Sequence, residues 1–381
     1  MTLSYYILPR QLTMHDVPGL SESASINQPL NRPRQHRPFS GVSLPSSHAR
    51  HMTDLLRPDA GGLYCAAGDF WIDPLKPVTR AVITHAHADH ARSGAGEYFT
   101  AREGLPVLAH RVGDGGDLNA VDYGEPFELG STRVTLFPAG HILGSATVRV
   151  ESEHGTWGVS GDFKRAPDPT CALFQPFHCD VWLTECTFGL PVYRWPATEQ
   201  VVGEVLDWWQ DCIDAGRPAV LFCYALGKAQ RLLAELAGRA PRPIWLHGAM
   251  QPLTECYRSQ GITLPDTQTV SDADKGYKFA GDLILAPPSA AGSPWMRRFP
   301  KHSSGFVSGW MRIRGNRRRR GYDRGFVMSD HADWPDLIRT VADMKAKRVI
   351  TIHGNGEALA AYLNEQGIAA ESWNLRASLS A

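Results

Sequence analysis

The stretch Thr84-His85-Ala86-His87-Ala88-Asp89-His90 constrains this chain more than any other, because the apolar run Ala81-Val82-Ile83-Thr84 delivers it. A strand of that kind is buried, and a loop at its end is held in place. His85 and His87 occupy alternate positions and can turn both imidazoles onto one ion, while Asp89 and His90 open the next turn and face a second. Imidazole nitrogen and carboxylate oxygen are the donors that zinc and similar ions take. The competing reading, four ionisable groups in a solvated loop, leaves the buried strand before them without a purpose.

One loop cannot fill two coordination shells, so further ligands are expected where later apolar runs end. His141, in Pro138-Ala139-Gly140-His141-Ile142-Leu143-Gly144-Ser145, follows such a run and has glycines nearby that permit close backbone approach. Asp162, in Ser160-Gly161-Asp162-Phe163, and His353, in Ile350-Thr351-Ile352-His353-Gly354, do the same, and Asp162 is suited to bridge two ions. Each alone is an ordinary structural residue. Together they describe a site.

The 381 residues suffice for one large domain or two ordinary ones, and a 43% hydrophobic fraction is that of a globular chain. Lys+Arg and Asp+Glu are equal at 39 each, so attraction to a polyanion must come from a local patch. Seven cysteines without a Cys-x-x-Cys pair argue against a disulfide framework or a zinc ribbon, and favour the cytoplasm with the thiols buried. No apolar run has the length of a membrane span, and the first ten residues lack a signal peptide's pattern. Residues 1–51 are rich in Ser, Pro, Asn, Gln and Arg; they are expected to be disordered, or a non-native extension ahead of a start at Met52. Their histidines, His15, His36, His48 and His51, are too scattered for a metal site.

From Leu63 to Val159 the text is strand-rich. Near Thr198 it changes: Val201, Val202, Val205, Leu206 and Trp209 recur at helical spacing, then a strand over 219–224 leads into a helix over 228–236. The last sixty residues return to strands and metal-type ligands. The expected division is therefore one domain over 52–195 and 322–381, split by an α/β insertion over 196–321.

The ordered set Asp73, His85/His87/Asp89/His90, His141 and Asp162 resembles the motifs of the metallo-β-lactamase superfamily. That resemblance implies an αββα sandwich, with Asp73 orienting the ligand loop rather than binding metal. Thr184-Glu185-Cys186-Thr187-Phe188-Gly189 resembles the first extra motif of the β-CASP nucleases, and Met328-Ser329-Asp330-His331-Ala332-Asp333 the second; His353 fills the third, and 196–321 stands where the β-CASP cap belongs. Longer phrases, Phe188 to Trp195, Gly227 to Arg231, Ala286 to Ser289 and Val307 to Trp310, resemble the bacterial DNA-ligase-associated exonucleases. The resemblance runs from about residue 62 to 355. It implies a DNA exonuclease, with single-stranded DNA as the favoured substrate, working in repair with an ATP-dependent DNA ligase and a helicase. A histidine at the third motif goes with RNA enzymes, so an RNA-processing ribonuclease is the alternative.

The chemistry so implied uses two divalent ions, zinc or else manganese. His85, His87 and His141 would hold one ion, Asp89, His90 and His353 the other, and Asp162 would bridge them. His331 would protonate the leaving 3′-oxygen and Glu185 would orient that imidazole, leaving a 5′-phosphate on the product. Without the resemblance, Glu185 and His331 read equally well as a buried ion pair. The dense basic run Arg312, Arg314, Arg317, Arg318, Arg319, Arg320 and Arg324 is expected to meet phosphate oxygens, and Gly227-Lys228-Ala229-Gln230, opening a helix after a strand, is expected to offer its backbone amides, with Lys228 and Gln230 as phosphate-binding residues. Trp295, Trp310 and Tyr322 read as core rather than stacking platforms.

Three rivals are weighed by residue. A small-molecule hydrolase of this fold needs neither the insertion nor the His331 motif. A flavodiiron-type oxidoreductase places Glu where His87 stands. A non-catalytic nucleic-acid scaffold usually loses ligands, and here every expected position is filled.

Overall fold

The structure, a computed structural model, describes residues 54–313 and 321–375. The expectations for residues 1–51, for a start at Met52, and for Arg314, Arg317, Arg318, Arg319 and Arg320 lie outside the described residues.

Three sheets organise the chain. The first is laid down in order by β1 (Leu56–Asp59), β2 (Gly62–Cys65), β3 (Phe70–Ile72), β4 (Arg80–Val82), β5 (Glu97–Ala101) and β6 (Asp117–Val121), with helix α1 (Leu105–Val112) between the last two. Its first three strands are antiparallel and the rest parallel. β7 (Pro126–Leu129), β8 (Thr132–Pro138), β9 (Ala146–Ser152), β10 (Gly155–Val159) and β11 (Val181–Glu185) begin the second sheet.

The chain then leaves to build the third sheet. Helix α2 (Thr198–Asp214) leads to β12 (Ala219–Phe222), α3 (Lys228–Leu236), β13 (Ile244–Leu246), α4 (Gln251–Ser259), β14 (Thr267–Thr269), β15 (Leu283–Ala286), β16 (Ser303–Val307) and β17 (Arg324–Phe326). All six strands are parallel, in the order β14-β13-β15-β12-β16-β17. Continuous apolar runs such as Ala219-Val220-Leu221-Phe222 and Leu283-Ile284-Leu285-Ala286 are buried throughout, as a parallel sheet covered on both faces requires. Helix α5 (Trp334–Met344) brings the chain back, and β18 (Arg348–Ile352), α6 (Gly356–Glu365) and β19 (Ala369–Trp373) complete the second sheet in the order β19-β18-β11-β10-β9-β8-β7.

The first two sheets face each other. Leu63, Phe70, Ile72 and Val82 of one meet Val134, Leu136, Val148, Val159 and Leu183 of the other in one apolar cluster. Outside the second sheet, Leu337, Val341, Leu359 and Leu363 of α5 and α6 cover Trp182 and Val349. Outside the first, Val107 and Leu108 of α1 cover Ala81 and Tyr98, with Leu226 and Tyr257 of the third-sheet segment in the same cluster. The result is an αββα sandwich plus a parallel α/β layer, the α/β class the sequence implied. Among the described residues no helix is long and apolar enough to cross a membrane. Five of the seven cysteines are buried and all are free thiols.

Candidate metal centre

The strands of the sandwich deliver their polar residues to one edge. Strand β4 ends at Val82: the Ile83 amide still bonds the Phe99 carbonyl, but the Thr84 amide goes to Asp73 Oδ1 at 2.8 Å. Asp73, held at a positive φ of 47°, also accepts from Thr84 Oγ1, and its Oδ2 lies 2.7 Å from His90 Nδ1. A non-glycine residue in that backbone region is strained and persists only where its surroundings hold it. Asp73 thus fixes the loop and one imidazole at once, and its carboxylate lies beside His85 and His90.

The imidazole nitrogens converge. His85 Nε2 is 3.0 Å from His87 Nδ1, which is 3.1 Å from His141 Nε2. One oxygen, Asp162 Oδ2, lies 3.4 Å from His85 Nε2, 3.5 Å from His90 Nε2 and 3.7 Å from His141 Nε2. Donors each about 2.0–2.2 Å from one tetrahedral ion stand roughly 3.3–3.6 Å apart, so His85, His87, His141 and Asp162 have the spacing of a closed ligand set. The second set is more open. Asp89 Oδ2 is 4.0 Å from His90 Nε2, and the His353 ring centroid is 5.6 Å from that of His90. Asp73, Asp89, His90, Asp162, Glu185 and His353 share the lining of one cavity there. The structure therefore gathers every metal-type residue named from the sequence. Asp162 Oδ2 lies near donors of both sets.

Each imidazole is held from behind. His141 Nδ1 is 2.6 Å from the Asp330 carbonyl, which can only accept, so Nδ1 carries the proton and Nε2 is left as a donor to a cation. His87 Nε2 is 3.3 Å from the Leu226 carbonyl, and His85 Nδ1 is 3.1 Å from Thr84 Oγ1. Such outer contacts set ring orientation and basicity. Ser145 Oγ accepts from the amides of His141 and Ile142. Gly140, at φ 72°, lies so near the Lys164 carbonyl that a Cβ there would stand 2.3 Å from it.

Charge in the site favours a cation. Burial, then the His85 charge, lowers His87 to about 4, and burial and His331 hold His141 well below its ordinary value, so both rings are neutral at pH 7. Burial works against charge on His90, but Asp162 and Asp73 outweigh it and raise it to about 10. Asp162, despite burial, is held well below the usual carboxylate range by His90 and His331. The carboxylate field that holds a proton on His90 is the field that would hold a divalent ion in its place.

His331, after β17, joins the edge from the other side. Its Nδ1 is 2.9 Å from both oxygens of Glu185, the last residue of β11, and 4.0 Å from Asp162 Oδ2. Glu185 is itself fixed by the Phe163 amide at 2.9 Å and Thr187 Oγ1 at 2.6 Å. Burial opposes charge on His331, yet Glu185 and Asp162 raise it to about 9. The imidazole is protonated at neutral pH and partly open to solvent.

One expectation is corrected. The side chains of Lys228 and Gln230 do not face phosphate: they are 2% and 0% exposed, Lys228 Nζ is 2.6 Å from Asp330 Oδ1, and Gln230 bonds Gly227, Ala225 and Thr254. Arg312 Nε donates to the Val192 carbonyl. Trp295 packs on Phe299, and Tyr322 on Phe222 and Phe306, each partly buried against the core. Trp310 packs on Phe188, which also contacts His331. Thr84, Leu226, Ser145 and Asp330 are supports whose role sequence reasoning missed; Thr84, Ser145 and Asp330 stood within the motifs, and Leu226 carried no signal.

Comparison with known proteins agrees with this geometry. Residues 326–374 match the family described as "Zn-dependent metallo-hydrolase RNA specificity domain". The chain is 34% identical over 315 residues to "Probable DNA ligase" of Opitutus terrae, covering 82% of this chain and 30% of that protein. It is 24% identical over 295 residues to "RNase aCSPSF2" of Saccharolobus solfataricus, 66% of this chain and 59% of that one. It is 28% identical over 216 residues to "Ribonuclease TTHA0252" of Thermus thermophilus, 48% of each. The chain thus spans about a third to three-fifths of these relatives' lengths. A solved structure of a protein of unknown function from Enterococcus faecalis shares the fold, with a TM-score of 0.52 at 13% identity over 77% of this chain and 79% of that one.

Proposed function

Since this chain belongs to the metallo-β-lactamase-fold β-CASP nucleases, we propose that it is an exonuclease on single-stranded DNA that prepares ends for a DNA ligase. The observation that carries the reading is His331 on Glu185, 4.0 Å from the carboxylate that joins the two donor sets. A protonated imidazole there suits an alkoxide leaving group, whereas the thiolate expelled from a thioester needs no proton. Residues 196–321, read as the cap, bring the Leu226 carbonyl to His87. Support for ligase association is the likeness to a protein named as a probable DNA ligase; a helicase partner follows from the same resemblance.

His85, His87 and His141 would hold one zinc ion, Asp89, His90 and His353 a second, with Asp162 between them. Bound ions supply charge neutralisation at the phosphoryl oxygens and a water acidic enough to attack at neutral pH. The protein's own residues do the rest. Asp73 keeps His90 Nε2 turned inward, the Asp330 carbonyl does the same for His141 Nε2, and the Leu226 carbonyl takes His87 Nε2 so that its Nδ1 faces inward. Glu185 engages His331 Nδ1, so the proton is delivered to the leaving oxygen from Nε2.

A second reading, RNA as substrate, is favoured by the match over 326–374 and by His353. End-labelled single-stranded DNA and RNA of one sequence, digested with zinc or manganese, separate the two. Metal-dependent loss of label from DNA, abolished by EDTA, is the expected result. Faster cleavage of RNA would move the conclusion to the second reading, and no cleavage of either by metal-loaded protein would discard both.

The Glu185–His331 pair also sets a pH dependence. His331 is raised to about 9, so activity that needs its proton is present at neutral pH and falls as pH rises through that value. Glu185→Gln removes the largest force raising it. The alkaline limb of kcat/KM is expected to move down by about 1–2 pH units. An unmoved limb would show that another group controls it.

A further inference from the structure

Five ionisable side chains that this chemistry does not use are buried together. Asp330 Oδ1 lies 2.6 Å from Lys228 Nζ and 3.1 Å from Arg231 Nη1; Asp168 Oδ2 lies 3.4 Å from Arg231 Nε and 2.6 Å from Lys164 Nζ. The order Lys228–Asp330–Arg231–Asp168–Lys164 alternates in sign, and every side chain in it is less than a tenth exposed. Removing such charges from water costs several kcal/mol per ion, and an apolar replacement of similar shape is often as stable. Stability alone therefore does not explain the network.

Its members join the segments that carry His141, Asp162 and His331, and the helix that follows Leu226. The Asp330 carbonyl holds His141, and His331 is the next residue. Lys164 lies two residues beyond Asp162, and its amide bonds Ala139 in the His141 loop. Lys228 and Arg231 sit on α3, whose leading loop puts the Leu226 carbonyl on His87. Arg231 spreads its guanidinium over Ser329 O, Asp330 and Thr198. Gly227, at φ 84°, lets that loop close on the His141 loop: a Cβ there would be 2.3 Å from Ile142 Cγ2.

We infer that Lys228 and Arg231 are positioning residues, which through Asp330 and Asp168 lock helix α3 to the loops bearing His87, His141 and His331 and so set how the imidazoles face the metal. This rests on the metal-centre reading but not on the identity of the substrate. Cobalt(II) is the probe, because its visible absorption reports ligand geometry without any turnover. Full-length Lys228→Met, which leaves Asp330 paired to Arg231, and Arg231→Lys, which keeps charge but loses the fork, are titrated beside wild type. Both are expected to bind cobalt about 10–100-fold more weakly, with shifted bands. Leu246→Ala, on β13 in an apolar cluster of the third sheet, controls for general loosening and should leave the spectrum as wild type. Variants that fold and match wild type in affinity and spectrum overturn the inference. An equal disturbance by Leu246→Ala also overturns it. Should Lys228→Met fail to fold, Arg231→Lys decides alone. Wild type that takes up no cobalt refutes the metal-centre reading itself, a distinct outcome.

Discussion

Asp162→Asn is expected to lower phosphodiester cleavage by at least about a thousandfold and to leave the protein short of metal. Asp162 Oδ2 is within 3.4–3.7 Å of His85, His90 and His141, so one oxygen serves donors of both sets. An amide keeps the shape but loses the negative charge, and with it the force that raises His90. Charge stabilisation by catalytic ions is worth several kcal/mol, and each 1.36 kcal/mol is tenfold in rate. Metal content by mass spectrometry and turnover on a labelled oligonucleotide check this together. Full metal occupancy with near-normal turnover would remove Asp162 from the centre.

His331→Ala is expected to do the opposite to metal and something similar to rate. His331 is outside the four-residue donor set, so metal content should hold while kcat falls by about 10²–10⁴, the usual range for a lost general acid. The leaving group separates this role from simple disruption. On a nitrophenyl phosphodiester, whose leaving group needs no proton, the loss should largely vanish. An equal loss on both substrates would mean that His331 shapes the site rather than donating a proton.

Much of this centre was legible before any coordinates because its side-chain ligands fall where apolar strands stop. The His-x-His-x-Asp-His loop, His141, Asp162 and His353 all follow that pattern. The Leu226 and Asp330 carbonyls could not be read, since a backbone acceptor has no side-chain signature. Lys228 and Gln230 were misread for a related reason. A glycine and a lysine at a helix start after a strand suit an anion, but Asp330, far along the chain, takes the lysine out of solvent. Strand ends differed locally as well: β12 ends at Phe222, and the exposed Tyr224 belongs to the loop beyond it.

In the second sheet β11 and β18 are direct neighbours, although everything from Cys186 to Lys347 intervenes between them. This makes order of assembly part of the design. A growing chain holds His85, His87 and His141 long before the strand that presents His353 exists. Closing a gap of that length costs little more than closing a short one at equilibrium, yet such distant pairings form slowly. If the parallel layer folds first, it brings its own ends together and shortens the remaining search. The ion pairs from Lys228 and Arg231 to Asp330 then form as the return segment docks, so the same event seats β18 and registers the imidazoles. A half-folded chain would hold scattered donors but no assembled ligand set.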